Sequence, residues 1–297
     1  MQFDPHHLSA LAVILRTGSF EQAASELSVT PSAISQRIKA LEEKVGTTLI
    51  QRGTPCIGTP SGVRLAKHAE DVGLLEAQLS RDLSLAPVAQ RTRLRIAVNA
   101  DSLATWLMPG LAAVPDTLFD LVLDDQDWSA EWLERGEVSA AVTAAGANVP
   151  GCTRYPLGVM RYVATASPGF VKQWFPGGVT AEALAQAPNL VFNARDGLQR
   201  SWLQAKTGKD LAPPSHYLPS THAFVDAARA GLGWGMNPET LVRGPIRNRR
   251  LVSLDADLPL DVALEWQVSR VLAPALEPVT AAIRKAAAEG LLPIPKD

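Results

Sequence analysis

The chain has 297 residues, enough for two or three compact units and too many for one small core. Its 46% hydrophobic and 20% charged residues suit a globular chain in water, and a formal charge of −2 excludes binding a polyanion through bulk charge alone. Two distant cysteines, Cys56 and Cys152, exclude a disulfide framework and a cysteine metal site. No run approaches the ~20 apolar residues of a membrane span, and the start of the chain lacks a basic, then apolar, leader. A cytoplasmic protein without membrane attachment, metal or cofactor is therefore expected.

In chain order, the pattern divides into three. Residues 1–60 read as helices with a short hairpin, 61–87 as one long helix, and 88–297 as alternating strands and helices, which is an α + α/β multidomain arrangement. A first helix is expected over 8–16, with Leu8, Leu11, Ala12 and Leu15 on one face and Gly18-Ser19 at its end. A short second helix covers 20–27, followed by a tight turn at Ser28-Val29. A third starts with Thr30 as N-cap and Pro31 in the first helical position, and stops at Gly46.

That third helix carries two stripes. Ile34, Ile38, Leu41 and Val45 recur at helical spacing and form its buried face. Ser32, Ser35, Gln36 and Lys39 form an outward face of short polar groups and one cation. Ser and Gln read base edges in a major groove, while Arg37 and Lys39 reach phosphates. A solvated helix face has the same look; the order helix, short helix, tight turn, capped helix favours a helix-turn-helix. Across residues 1–60 five cations face five acids, so placement of charge must carry any DNA affinity.

The segments 20–27 and 30–42 (Phe20 through Leu27, then Thr30-Pro31-Ser32-Ala33-Ile34-Ser35-Gln36-Arg37-Ile38) resemble the signature of LysR-type transcription regulators. Leu49-Ile50-Gln51-Arg52 and Thr59-Pro60-Ser61-Gly62 resemble that family's wing and the entry to its linker helix. Most members carry Gln at Pro31 and Arg-Gln at Gln36-Arg37, departures that bear on the operator sequence and not on DNA binding. The resemblance implies DNA contacts from Thr30, Pro31, Ser32, Ser35, Gln36, Arg37, Lys39 and the wing cation Arg52.

From residue 61 to about 85, Leu65, Ala69, Val72, Leu79 and Leu83 approximate a heptad stripe, widened by Leu74 and Leu75. It reads as a dimer seam, and in the resembling family this helix pairs two subunits. Packing on the chain's own C-terminal part is the other reading. A homodimer or homotetramer on promoter DNA, in contact with RNA polymerase, is the implied assembly. A hinge is expected at 86–92.

Beyond it, strands are expected at 94–98, 118–124, 138–143 and 161–166, with a turn at 99–102. A second lobe has strands near 190–192, 217–218 and 234–236 and helices at 170–174, 198–205 and 223–230. A strand at 262–268 and a helix at 275–288 return to the first lobe. The first lobe is assigned 92–163 with 267–297, the second 164–266. This is similar to the two-lobed periplasmic-binding-protein fold shared by LysR effector domains, whose ligands bind at strand carboxyl ends between the lobes. Candidate effector ligands are Asn99, Asp101, Ser102 and Thr105 around a helix start, Asp124, Asp125 and Thr143 at strand ends, and Ser220, Thr221 and His222 across the cleft. The segments 97–106, 135–138 and 174–180 resemble the ArgP/LysG branch, regulators of basic amino-acid export, which implies lysine or arginine as the effector. The α-carboxylate then takes the helix N-terminus, and Asp124 or Asp125 the cation. Two rival classes are weaker. No metal, hydrolase or phosphate-loop motif supports an enzyme, and the N-terminal reader argues against a solute carrier.

Overall fold

The computed structural model describes residues 2–85, 92–124 and 129–294. The expected hinge lies almost wholly outside them, as does Asp125. The N-terminal unit opens with α1 (Pro5–Thr17), which Asp4 caps by accepting from the His6 N–H and which Gly18 ends in the left-handed conformation. Ser19 caps α2 (Phe20–Glu26). Thr30 caps α3 (Pro31–Val45) by accepting from the Ala33 N–H at 3.2 Å. The caps satisfy N–H groups that the first turn of a helix leaves without partners. Leu8, Leu11, Ile14, Ala23, Ala24, Ile34, Ile38 and Leu41 meet in one core, while Val45 is only half-buried at its edge. A two-stranded wing follows, β1 (Ile50–Gln51) antiparallel to β2 (Ile57–Gly58).

The long helix α4 (Pro60–Asp82) starts at the Thr59 cap. A Cβ on Gly62 would lie 1.9 Å from the Leu49 carbonyl oxygen, so only glycine lets the helix sit this close to the wing. The apolar residues of the expected single seam divide into three groups. Leu65 and Ala69 complete the N-terminal core, and Leu74 enters the core of the C-terminal domain. Leu75, Leu79 and Leu83 stay exposed at 36%, 57% and 59%. The correction has a simple cause: on a helix flanked by two domains, apolar residues at heptad spacing are claimed by whichever surface lies opposite.

The C-terminal domain runs β3 (Thr92–Asn99), α5 (Ala100–Thr105), α6 (Leu107–Ala112), β4 (Thr117–Asp124), α7 (Ser129–Glu134) and β5 (Ala140–Ala144). Then come β6 (Cys152–Ala166), α8 (Pro168–Trp174), α9 (Ala181–Gln186), β7 (Asn189–Val191), α10 (Leu198–Thr207) and β8 (Ser215–Tyr217). It closes with α11 (Thr221–Ala230), β9 (Gly235–Pro238), α12 (Glu239–Arg247), β10 (Val252–Ser253), β11 (Leu260–Ser269) and α13 (Glu277–Gly290). One mixed sheet has the order β10-β6-β11-β5-β3-β4, with β9 added on β6. The pairs β3–β4 and β3–β5 are parallel; β11 is antiparallel to both β5 and β6. The long strands β6 and β11 thus run through both halves of a two-lobed domain.

Two expectations change here. The turn at 99–102 is the first turn of α5, with Asn99 in the N-cap position. The strand expected at 161–166 begins at Cys152, and a register shift opposite Leu264/Glu265 absorbs the interruption by Pro156 and Gly158. Trp202, Trp234, Trp266 and Tyr162 are fully buried and fill the core, Trp202 and Trp234 with ring centroids 5.2 Å apart.

Candidate functional site

The N-terminal unit presents the expected face. Thr30, Pro31, Ser32, Gln36, Lys39 and Arg52 are exposed, and Ser35 and Arg37 are half-buried. Lys39 pairs loosely with Glu43 at 3.8 Å, both well exposed, an arrangement worth little and easily exchanged for a phosphate. The Arg52 guanidinium lies 5.3 Å from the Phe20 ring, which ties the wing cation to the start of α2. Arg16 is taken up by Glu26 and Lys67 by Asp71, so those cations are spent inside the protein.

In the C-terminal domain a cleft opens at the carboxyl ends of β3 and β4. Asn99 and Asp124 are register partners on those strands and both line it. Ala100 and Asp101 follow from α5, and Thr221 and Phe224 come from α11. Phe192 and Asp196 lie between β7 and α10, Leu198 opens α10, and Met236, Asn237 and Pro238 end β9.

Asp101 joins three elements. Its carboxylate accepts from Thr221 Oγ1 at 2.7 Å and from the Tyr162 hydroxyl at 2.8 Å. Burial pushes its pKa above the ordinary aspartate value; the two hydrogen bonds oppose the rise and the Asp196 charge adds to it. Asp196 accepts from the N–H groups of Phe192 (2.9 Å) and Leu198 (3.0 Å), which fixes its carboxylate at the start of α10. Asp124 accepts from the Trp132 indole N–H at 2.8 Å. The fully buried Asn237 donates to Thr165 Oγ1 (2.9 Å) and the Gly235 carbonyl (3.2 Å), while its Oδ1 has no partner among the described residues.

Of the residues expected here, Asn99, Asp101, Asp124 and Thr221 line the cleft. Ser102 is fully buried beneath it. Thr105 donates back to the Asp101 carbonyl at 2.6 Å within its own helix. Thr143 is buried in the sheet and accepts from Gln267 at 2.9 Å. Ser220 is spent as the cap of α11, and His222 is exposed two residues further on. Asp196, in the loop before α10, and Asn237, in β9, carry no local signal in the sequence. Among the described residues no group of three His, Cys, Asp or Glu could hold a metal ion, and no helix is long and apolar enough to cross a membrane.

Comparison with known proteins places both units in one family. Residues 5–65 match the model of the bacterial regulatory helix-turn-helix protein, lysR family, and residues 89–288 that of the LysR substrate binding domain. The chain is 43% identical over 290 residues to the HTH-type transcriptional regulator LysG of Mycobacterium tuberculosis, covering 98% of this chain and 95% of that one. It is 42% identical over 298 residues to ArgP of Pseudomonas fluorescens, covering 98% of each. Among solved structures, ArgP from Mycobacterium tuberculosis superposes with a TM-score of 0.80 at 41% identity, covering 99% of this chain and all of that one. Full-length LysG from Corynebacterium glutamicum with bound effector Arg gives 0.67 at 36% identity, covering 98% and 100%.

Proposed function

Because the chain belongs to the LysR family of bacterial helix-turn-helix regulators, we propose that it binds promoter DNA and that a basic amino acid in its cleft sets the strength or geometry of that binding. The observation that carries the ligand class is the charge of the wall. Asp101, Asp124 and Asp196 line the cleft, and no Lys or Arg is among its described lining residues. Carboxylates in a partly desolvated cleft favour a cation, and a guanidinium matches paired oxygens best. The free Asn237 Oδ1 adds a neutral acceptor for a ligand N–H. The α-carboxylate is placed beside Ala100, which lines the cleft at the start of α5. The LysG structure holding arginine supports the same ligand class.

At the other end, α3 enters the major groove with Ser32, Ser35 and Gln36 toward base edges. Arg37, Lys39 and Arg52 contact phosphates, and Thr30 and Pro31 set the helix start. The exposed Leu75, Leu79 and Leu83 pair two copies, so that two reading helices meet two half-sites. The protein acts in the cytoplasm, where promoter and amino acid are both present, and has no catalytic role. Calorimetric titration with arginine, lysine and glutamine tests the ligand class. Arginine or lysine is expected to bind at least tenfold tighter than glutamine; equal binding of glutamine contradicts it.

A further inference from the structure

The α7 segment touches both the cleft wall and α4. On one side its Trp132 donates an indole N–H to the Asp124 carboxylate, a wall of the cleft, at 2.8 Å. The Arg135 guanidinium lies 4.8 Å from the Trp132 ring and pairs with Glu137 at 2.9 Å, which holds the ring and the end of the helix together. The helix closes in a Schellman cap: Gly136 N–H donates to the Leu133 carbonyl and Glu137 N–H to the Trp132 carbonyl, both at 2.9 Å, with Gly136 at φ +63°.

The last carbonyls of this cap are then taken by α4. Arg64 Nη1 donates to the Arg135 carbonyl at 3.2 Å and the Gly136 carbonyl at 3.0 Å. A cation at a helix C-terminus is favoured by the dipole as well as by the free carbonyls. A Cβ at position 136 would lie 1.6 Å from that nitrogen, so the glycine makes room for Arg64. Two residues before Arg64 is Gly62, whose contact with Leu49 locks the first turn of α4 onto the wing. An unbroken series of contacts therefore runs from the cleft wall to the DNA-reading unit of the same chain.

We infer that Arg64 is a positioning residue, coupling the seat of α7 at Asp124 to the orientation of the winged helix-turn-helix. The inference rests on the reading that the effector occupies the cleft. A ligand cation that draws on Asp124 competes with the Trp132 N–H, shifts α7, and moves the two carbonyls that hold Arg64. A double-mutant cycle measures this coupling.

The cycle uses full-length protein and a DNA fragment selected by the wild type from sheared genomic DNA, at fixed salt and without ligand. Trp132→Phe keeps an aromatic ring and removes the N–H. It is expected to change DNA affinity by roughly two- to thirtyfold, and to change it less than about twofold in an Arg64→Ala background. Gly136→Ala, which displaces Arg64 without touching the DNA-reading unit, is expected to remove the Trp132 effect in the same way. Equal Trp132→Phe effects in all backgrounds, or none in the wild type, overturn the inference. Arginine titration of the same proteins keeps the two readings apart. If the wild type does not bind arginine or lysine, the ligand reading fails, while the ligand-free cycle still decides the role of Arg64.

Discussion

Thr221, the first residue of α11, donates a 2.7 Å hydrogen bond to the carboxylate of Asp101 in the first turn of α5, and so ties two helices from opposite sides of the cleft. The acceptor is a carboxyl group whose pKa burial raises above the ordinary aspartate value of 3.8. Binding and stability at this point depend on the same proton.

A raised folded-state pKa means that the native state holds the proton more tightly than the unfolded chain. Asp101 therefore costs no stability below the unfolded pKa. The cost appears as pH rises from there through the raised folded value, and is constant above it. Asp101→Asn, which offers an oxygen acceptor and an amide to the same hydroxyls, is expected to lack this slope. Urea unfolding of both proteins from pH 4 to pH 8 checks this: the variant gains on the wild type with rising pH. A cation bound beside Asp101 favours the ionised form, so wild-type affinity for arginine is expected to rise with pH through the same window.

Gln36 and Lys39 are exposed on one face of α3 but do different work. Gln36→Ala is expected to cost about 1–3 kcal/mol on the preferred sequence and little on random DNA. Lys39→Ala should weaken both alike and reduce the salt dependence of binding by about one counterion. Titrations on two DNA sequences at several salt concentrations separate the two roles.

Leu75, Leu79 and Leu83 expose an apolar stripe on the outer side of α4. Leu79→Glu places a charge in the proposed seam, where pairing would bury it. Sedimentation is expected to show a shift toward the monomer, with the urea midpoint of the monomer unchanged because Leu79 touches neither core.

Ser28, in the turn between α2 and α3, adopts φ +53°. A non-glycine residue pays roughly 1–2 kcal/mol to enter this region, partly offset by the greater freedom glycine has when unfolded. Ser28→Gly is expected to stabilise the N-terminal unit by about 0.5–1 kcal/mol, read as a higher melting temperature.

The parts legible in the sequence are those set by local chemistry. Thr30, Pro31, Gly46 and the stripe of Ile34, Ile38 and Leu41 define α3 through capping and spacing within one helix, and the structure reproduces it. Asn99-Ala100-Asp101-Ser102 suggested a turn because α5 is too short for helical spacing to show, and Asn and Ser also favour turns. Spacing gives no sign of α12, because Pro245 lies inside it and only Val242 is buried. Spacing puts Leu74 in the α4 seam because it cannot say which surface lies opposite, and the C-terminal core takes it. Asp124 was legible as a strand end. Asn237 reaches the same cleft through the return of β9 onto β6, and Asp196 through the loop between β7 and α10, relationships that belong to topology.

The most direct test is a titration of the wild-type protein onto its selected DNA fragment at fixed salt, repeated with saturating arginine, lysine and glutamine. The predicted result is specific binding whose affinity or footprint changes with arginine or lysine and not with glutamine. Specific binding indifferent to all three would contradict control of DNA binding by a basic amino acid in the Asp101–Asp124–Asp196 cleft.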